Sequence, residues 1–151
     1  MSARRYEIGL IPCTKTKSPI GITPPTLYKG GPFSLMMRHA QQRCDRVIIM
    51  SAYFGLLKMD DRVHDYEAYL PGLDEAARRA LALRIVERSD LLDGASICSY
   101  LPKAYYEFLA AVIDPQIVQR IRRPYRNLPM LSLYKVLSNE IKGHETGLAR
   151  R

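Results

Sequence analysis

The sequence predicts an α/β fold, a three-layer sandwich with a mainly parallel central sheet. Three observations support this prediction. Short apolar runs at residues 6–12, 46–52 and 95–100 resemble strands covered on both faces. Segments with helical spacing of apolar residues follow these runs. Strands that alternate with helices form parallel sheets with right-handed crossovers, which gives the three layers.

The predicted helices have start signals and apolar faces. The first covers residues 33–44, and the second extends from Asp74, a residue type that caps helices, to about residue 90. The third begins at Pro102, since proline suits a first helical turn, and the last covers residues 133–141. Residues 118–126 are basic and fit no single element. The spacing predicts these inward-facing residues: Phe33, Met36, Met37, Ala40, Cys44, Ala77, Leu81, Ile85, Val86, Tyr105, Leu109 and Val112.

The chain length of 151 residues suits a single domain over residues 1–151, with residues 142–151 expected to be a frayed tail. Its apolar runs are too short for a membrane span or a signal sequence, so we expect a cytoplasmic protein. The three cysteines include no Cys-x-x-Cys pair, which argues against a disulfide framework and a zinc site. We predict no metal and no cofactor.

The net charge of +8 is unevenly distributed. Residues 1–59 carry nine Lys and Arg against two acids, and residues 94–151 carry nine against four. Residues 60–93 are acidic, with nine carboxylates against five basic side chains. A basic chain is compatible with nucleic acid or a nucleotide as partner, and equally with a surface kept soluble by its charge.

Three polar or aromatic segments follow the predicted strands, at residues 12–17, 52–57 and 100–103. Ligands of open parallel sheets bind outside the carboxyl ends of the strands. We therefore expect these three segments to converge on one edge of the sheet and to form the ligand site.

The first segment, Pro-Cys-Thr-Lys-Thr-Lys at residues 12–17, has the composition of an anion site. Hydroxyls and amides such as those of Thr14 can hold phosphate oxygens, while Lys15 and Lys17 neutralise the charge. The P-loop pattern is absent. Cys13 is a candidate nucleophile because neighbouring lysines can lower a thiol pKa. The alternative is a solvated loop with a half-buried Cys13.

Two further segments combine aromatic residues with glycines. Tyr28 precedes the pair Gly30–Gly31, which permits close approach of the backbone to a ligand, and Tyr28 can either stack on a base or cover the core edge. The segment at residues 51–57 places aromatic residues and Gly55 directly after a strand. Phe54 is a second candidate for base stacking.

Four carboxylates follow within residues 60–67. Partly buried carboxylates serve in general acid–base catalysis, whereas most charge runs are solvated, so we expect only one or two of these to function. The arginines Arg120, Arg122, Arg123 and Arg126 are the best candidate for a surface that binds the nucleic-acid backbone. An exposed basic loop is the alternative.

The order of these motifs resembles a bacterial and phage family of small domains with PCSKSK-like and SAKYGLL-like segments. That family is similar to the YaaA peroxide-stress proteins and to a domain of archaeosine synthase, which modifies a tRNA base. The likeness covers about residues 6–70 well and is weaker at residues 101–109. It implies a fold akin to the uracil-DNA-glycosylase-like group and a role in nucleobase or DNA metabolism. The positions to which it points are Cys13, Thr14, Lys15, Lys17, Tyr28, Ser51, Gly55, Asp61 and Tyr66.

This chain departs from the family pattern at one turn, where Tyr53-Phe54-Gly55 replaces Lys-Tyr-Gly. A lysine and a tyrosine hydroxyl are therefore lost, and a chemistry that needs either group would be lost with them.

These observations give a leading hypothesis, an enzyme acting on a nucleobase or its N-glycosidic bond in DNA or a nucleotide. In this hypothesis Lys15, Lys17 and the arginines hold phosphate, and a DNA base would have to leave the duplex. Asp61 acts as general base or stabilises an oxocarbenium ion, and Tyr66 orients it. A non-catalytic DNA-binding or stress-response module is the alternative, and a protein adaptor using residues 53–73 is a third possibility.

Overall fold

The computed structural model describes residues 6–14, 17–18, 20–28 and 30–149. Its five strands are β1 (Glu7–Pro12), β2 (Arg46–Ser51), β3 (Gly55–Leu57), β4 (Ser96–Ser99) and β5 (Ile121–Arg122). Its six helices are α1 (Pro24–Leu27), α2 (Gly31–Arg43), α3 (Glu75–Glu87), α4 (Lys103–Val112), α5 (Pro115–Val118) and α6 (Met130–Ala149). Two short 3-10 turns, Leu70–Gly72 and Ser89–Leu92, flank α3.

The five strands form one mixed sheet in the order β3-β2-β1-β4-β5. β1 pairs in parallel with both β2 and β4, and β5 is also parallel to β4, whereas β3 runs antiparallel to β2. The chain therefore proceeds from β1 outward on one side and later returns to place β4 on the other side. This reversal puts the topological switch point between β1 and β4, where ligands of open α/β sheets bind.

The sheet separates two apolar cores, which confirms the three-layer arrangement. One core packs α3 and α4 against the sheet through residues such as Leu81, Ile85 and Leu109. The other packs α2 and α6 through Phe33, Leu137 and their neighbours. Strands β1 and β2 are almost wholly buried, as expected for central strands covered on both faces.

Strand β3 is not among the three strands that the sequence predicts. The chain reverses after β2 in a turn that places Gly55 at φ +84°, and residues 55–57 then pair back onto β2. A three-residue strand is too short to show a periodicity, so sequence pattern could not reveal it.

The helix predicted from Asp74 begins as expected, whereas α2 and α6 begin two and three residues before their predicted starts at residues 33 and 133. The Asp74 carboxylate caps α3 by accepting a hydrogen bond from the backbone N–H of Ala77 at 2.8 Å. Leu81 and Ile85 are buried as predicted, whereas Val86 is 52% exposed, so its predicted inward position is wrong. Within the described residues, no helix is long and apolar enough to cross a bilayer.

The last helix is longer than predicted, because α6 continues through residues 142–149, where we expected a frayed tail. The Arg38 guanidinium of α2 donates to the Glu145 carboxylate at 2.8 Å, which ties this part of α6 to α2. Residues 150 and 151 lie outside the described residues.

Candidate active site at the switch point of the sheet

A cleft of about 580 Å³ opens where β1 and β4 end. We call it the switch-point cleft. Cys13 and Thr14 follow β1 on one side, and residues 100–105 follow β4 on the other. The turn after β5, the first half of α6, the start of α2 and the 3-10 turn before α3 form the remaining walls. Two of the three segments predicted to converge, those after β1 and β4, therefore meet here, whereas the segment after β2 lies outside the lining residues.

The polar character of the switch-point cleft is cationic. Lys103, Arg123 and Arg126 line it, and none of its described lining residues carries a carboxylate. The Arg123 guanidinium carbon lies 3.9 Å from the ring centre of Tyr106, a cation–π contact that holds the side chain against α4. The cleft is thus suited electrostatically to an anionic ligand.

Cys13 lies at the junction of the switch-point cleft and the core. Its backbone N–H donates to the Met50 carbonyl at 2.9 Å, extending the pairing of β1 with β2. Its Sγ atom is 3.6 Å from the Tyr105 hydroxyl of α4. Burial raises the pKa of Tyr105, and the neighbouring Cys13 adds to this shift, so the phenol stays protonated at neutral pH. Tyr105 therefore keeps its proton and can donate a hydrogen bond beside the thiol.

A second group of polar side chains, which we call the hydroxyl cluster, consists of Tyr28, Ser51 and Tyr66. The Tyr66 hydroxyl lies 2.7 Å from that of Tyr28 and 2.8 Å from the Ser51 Oγ. Because Ser51 Oγ already accepts the backbone N–H groups of Tyr53 and Phe54, its own proton is directed to Tyr66. Burial raises the pKa of both tyrosines, which keeps the chain of hydroxyls neutral.

Aromatic rings surround the hydroxyl cluster. Tyr53 stacks on Tyr66 with ring centres 5.3 Å apart, and Phe54 meets Tyr66 edge-on at 5.4 Å. The Lys17 ammonium lies 4.2 Å from the centre of the Tyr66 ring. The structure thus gathers five of the predicted residues at the ends of β1 and β2: Lys17, Tyr28, Ser51, Phe54 and Tyr66. Tyr28 is only 2% exposed, so its ring has no open face on which a base could stack.

Asp61 and Gly55 are placed apart from the cleft. The Asp61 carboxylate accepts hydrogen bonds of 2.7 Å from Arg88 and from the backbone N–H of Lys58. Burial opposes ionisation of Asp61, but these bonds outweigh it and lower its pKa. It lines neither the switch-point cleft nor the smaller cleft beside Lys17 and Tyr66. Its role as general base stays a prediction that the observed contacts do not favour.

The predicted arginine cluster divides into two pairs. Arg120 donates to the Ala95 carbonyl at 3.0 Å, and Arg122 pairs with Glu7 at 2.6 Å, so both hold the edge of the sheet. Arg123 and Arg126 line the switch-point cleft instead. Lys15 lies outside the described residues.

Sequence reasoning missed a buried polar network behind the cleft. His39 is 1% exposed, its Nδ1 lies 2.6 Å from the Tyr100 hydroxyl, and its Nε2 contacts the Glu140 carboxylate. Tyr125 donates to the same carboxylate at 3.0 Å. The available signal was a histidine on the apolar side of the helix predicted at residues 33–44, but its partners are 61 to 101 residues away in the sequence.

Residues 8–138 match a protein family described as a family of unknown function, DUF6884. The chain belongs to this family. No curated protein and no solved structure matches it.

The part of the chain that matches the DUF6884 family includes every lining residue of the switch-point cleft and the whole hydroxyl cluster. Glu140 lies just beyond the match. Among the described residues, no group of three or more His, Cys, Asp or Glu side chains is arranged to hold a metal ion.

Proposed function

We propose that this protein is an enzyme that acts on a nucleobase or its N-glycosidic bond, in DNA or in a nucleotide, at the switch-point cleft. The observation that carries the proposal is the cleft itself. It lies at the switch point between β1 and β4, has aromatic walls, and is lined by three cations with no carboxylate among its described residues. Such a site complements a planar aromatic ring joined to an anionic group.

The proposed roles follow from position and protonation state. Arg123 and Arg126 hold phosphate. Tyr105 remains a protonated phenol and can donate a hydrogen bond to a ring atom of the base, which assists departure of the base if the glycosidic bond breaks. Cys13, 3.6 Å from the Tyr105 hydroxyl, is the candidate nucleophile. The Tyr66 ring of the hydroxyl cluster contacts the Lys17 ammonium, which lies 4.2 Å from its centre.

We also propose that the fold belongs with the uracil-DNA-glycosylase-like group and that the family is related to the YaaA proteins. The support for this relation is the order of the sequence motifs on β1, on the segment leading into α2, and on β2 with β3. In DNA, the target nucleotide would have to leave the duplex, because a cleft of about 580 Å³ has room for a small ligand only.

The test is to incubate the protein with modified and unmodified DNA and with nucleotides, and then to analyse nucleosides and free bases by mass spectrometry. We expect an altered nucleoside or a released base. Tyr105→Phe should lower its rate by about 100- to 1,000-fold, the effect of losing one hydrogen bond in a transition state. Tyr6→Phe is the matched control, because Tyr6 is 48% exposed and lies away from the cleft.

A complete absence of product from these substrates would contradict the proposal that the protein is an enzyme. If DNA binding then fell steeply with salt, the non-catalytic DNA-binding module would replace it. In that module, neutralising Arg122 and Arg123 together should abolish binding, whereas Asp61→Asn should not.

A further inference from the structure

Among the cations of the switch-point cleft, Arg123 has the fewest hydrogen-bond and ion-pair partners in the described part of the chain. The other two cations of the cleft have partners, because the Lys103 ammonium lies 3.8 Å from the Glu107 carboxylate and Arg126 donates to the Arg123 carbonyl at 3.3 Å. By contrast, the Arg123 guanidinium rests on the Tyr106 ring, and its buried Nε has no hydrogen-bond partner among the described residues. A buried polar atom without a partner is costly, so an anion whose oxygens accept from this guanidinium, such as a phosphate, would supply the missing partner.

Next to Arg123, two tyrosines form a fixed aromatic wall. The rings of Tyr100 and Tyr125 stack with their centres 5.5 Å apart and their planes 26° from parallel. Their hydroxyls are anchored below the wall, Tyr100 to His39 and Tyr125 to Glu140. Because both hydroxyls are held, the rings keep their orientation without a ligand. Stacking a heterocycle on them therefore costs little side-chain conformational entropy.

The cleft therefore combines a stacking wall with a phosphate-binding side. Resting on the function proposed above, we propose that the switch-point cleft binds a free nucleoside monophosphate, its base against Tyr125 and its phosphate at Arg123 and Arg126. The volume of about 580 Å³ lies within the range of roughly 300–1,000 Å³ found for small-molecule sites and admits no duplex. The substrate expected at this site is therefore a free nucleotide rather than a nucleic acid.

The experiment measures binding by isothermal titration calorimetry at fixed salt. The probes are the common ribo- and deoxyribonucleoside 5′-monophosphates, the matching nucleosides, inorganic phosphate, and a single-stranded and a duplex oligonucleotide. We expect at least one monophosphate to bind at least tenfold more tightly than its nucleoside and than inorganic phosphate. A charged hydrogen-bonding contact typically contributes about 10- to 100-fold in affinity.

Two variants locate the two halves of the ligand, and a third serves as the control. Arg123→Gln should weaken the monophosphate about 10- to 100-fold and leave the nucleoside unchanged, because it removes only the phosphate contact. Tyr125→Leu should weaken both. Arg122→Gln is the matched control, since Arg122 is the adjacent arginine but pairs with Glu7, and it should change neither affinity. If circular dichroism shows that Arg123→Gln is not folded, Arg126→Gln provides a second variant of the phosphate contact.

Several outcomes would overturn the inference: no monophosphate binds, nucleoside and monophosphate bind equally, or only the oligonucleotides bind. An effect of Arg122→Gln as large as that of Arg123→Gln would also overturn it, because it would indicate a diffuse surface charge. These outcomes are separate from failure of the enzymatic proposal. Binding is measured without turnover, so a monophosphate can bind with no product formed, and a DNA substrate can react while no monophosphate binds.

Discussion

The Nδ1 atom of His39 lies 2.6 Å from the hydroxyl oxygen of Tyr100, in the interior between α2 and the end of β4. The Nε2 atom of the same ring contacts Glu140 on α6. Burial lowers the pKa of His39, although the bond to Glu140 opposes the shift, so the imidazole is neutral. A neutral ring that donates Nε2–H to the Glu140 carboxylate accepts the Tyr100 hydroxyl at Nδ1. One histidine thus joins α2, β4 and α6 behind the switch-point cleft.

The first prediction concerns the pH dependence of stability through His39. The folded state lowers the pKa of His39 from its ordinary value of 6.5, so below that pH the unfolded chain binds more protons than the folded one. The contribution of neutral His39 to the free energy of unfolding should therefore be fully present above about pH 6.5. It should decline as the pH falls toward the pKa of His39 in the folded state. His39→Gln should flatten this slope, as measured by urea unfolding at several pH values between 7.5 and 5.

The matched control for His39 is His64→Gln, because the His64 side chain is exposed. It should leave the pH slope as in the wild type. A slope as steep in His39→Gln as in the wild type would show that other groups carry the acid sensitivity. At pH 7.5, His39→Gln should also cost about 1–3 kcal/mol, because buried partners lose their hydrogen bonds.

The second prediction assigns Asp61 a structural role. Asp61→Asn replaces a carboxylate that accepts from Arg88 and from the backbone of Lys58, so it should lower the free energy of unfolding by about 1 kcal/mol. It should leave nucleotide binding and any base-directed activity unchanged, since Asp61 lines neither cleft. Denaturant unfolding and the nucleoside assay check the two halves. A loss of activity in a fully folded Asp61→Asn variant would return Asp61 to the mechanism.

The third prediction separates two glycines with positive φ. Gly55, at φ +84°, sits against α3, where an added Cβ would come within 3.2 Å of Arg84 and Ile85 backbone atoms. Gly94, at φ +67°, faces open space. Gly94→Ala should cost about 1 kcal/mol of backbone strain, whereas Gly55→Ala should cost about 1–3 kcal/mol more, because the α3 backbone leaves too little room for the added Cβ. Thermal and urea unfolding of both variants test this difference, and equal losses would contradict the packing argument.

The fourth prediction concerns the order in which the cysteines react. Burial raises the pKa of Cys44 to about 12 and also raises the pKa of Cys98, so both thiols hold very little thiolate at pH 8. Cys13 lines the switch-point cleft and should be alkylated first by iodoacetamide. Peptide mass spectrometry over a time course gives the order.

A monophosphate bound in the cleft should slow alkylation of Cys13 and leave the rates at Cys44 and Cys98 as they were. Modification of Cys98 before Cys13 would show that the cleft is closed to small reagents. Uniform slowing at all three thiols would indicate a general change in stability rather than protection of one site.

The sequence by itself determined most of the architecture, because the strands and helices are long enough for local chemistry to specify them. The β-branched run of β2 marks a central buried strand, and Asp74 marks the start of α3. The sequence also determined that the segments after β1 and β4 share one edge, since parallel strands must end on the same side. Cys13 and Thr14 were placed in the site on that argument.

Only the tertiary structure decided which side chains act together. The division of the arginines, with Arg122 paired to Glu7 and Arg123 turned into the cleft, depends on the direction of a two-residue strand, β5, that carries no periodic signal. The pairing of Asp61 with Arg88 and the burial of Tyr28 likewise depend on how loops fold back on α3 and α2. The wall of Tyr100 and Tyr125 is anchored by residues far apart in the chain, and contacts of that kind arise only when the three layers pack.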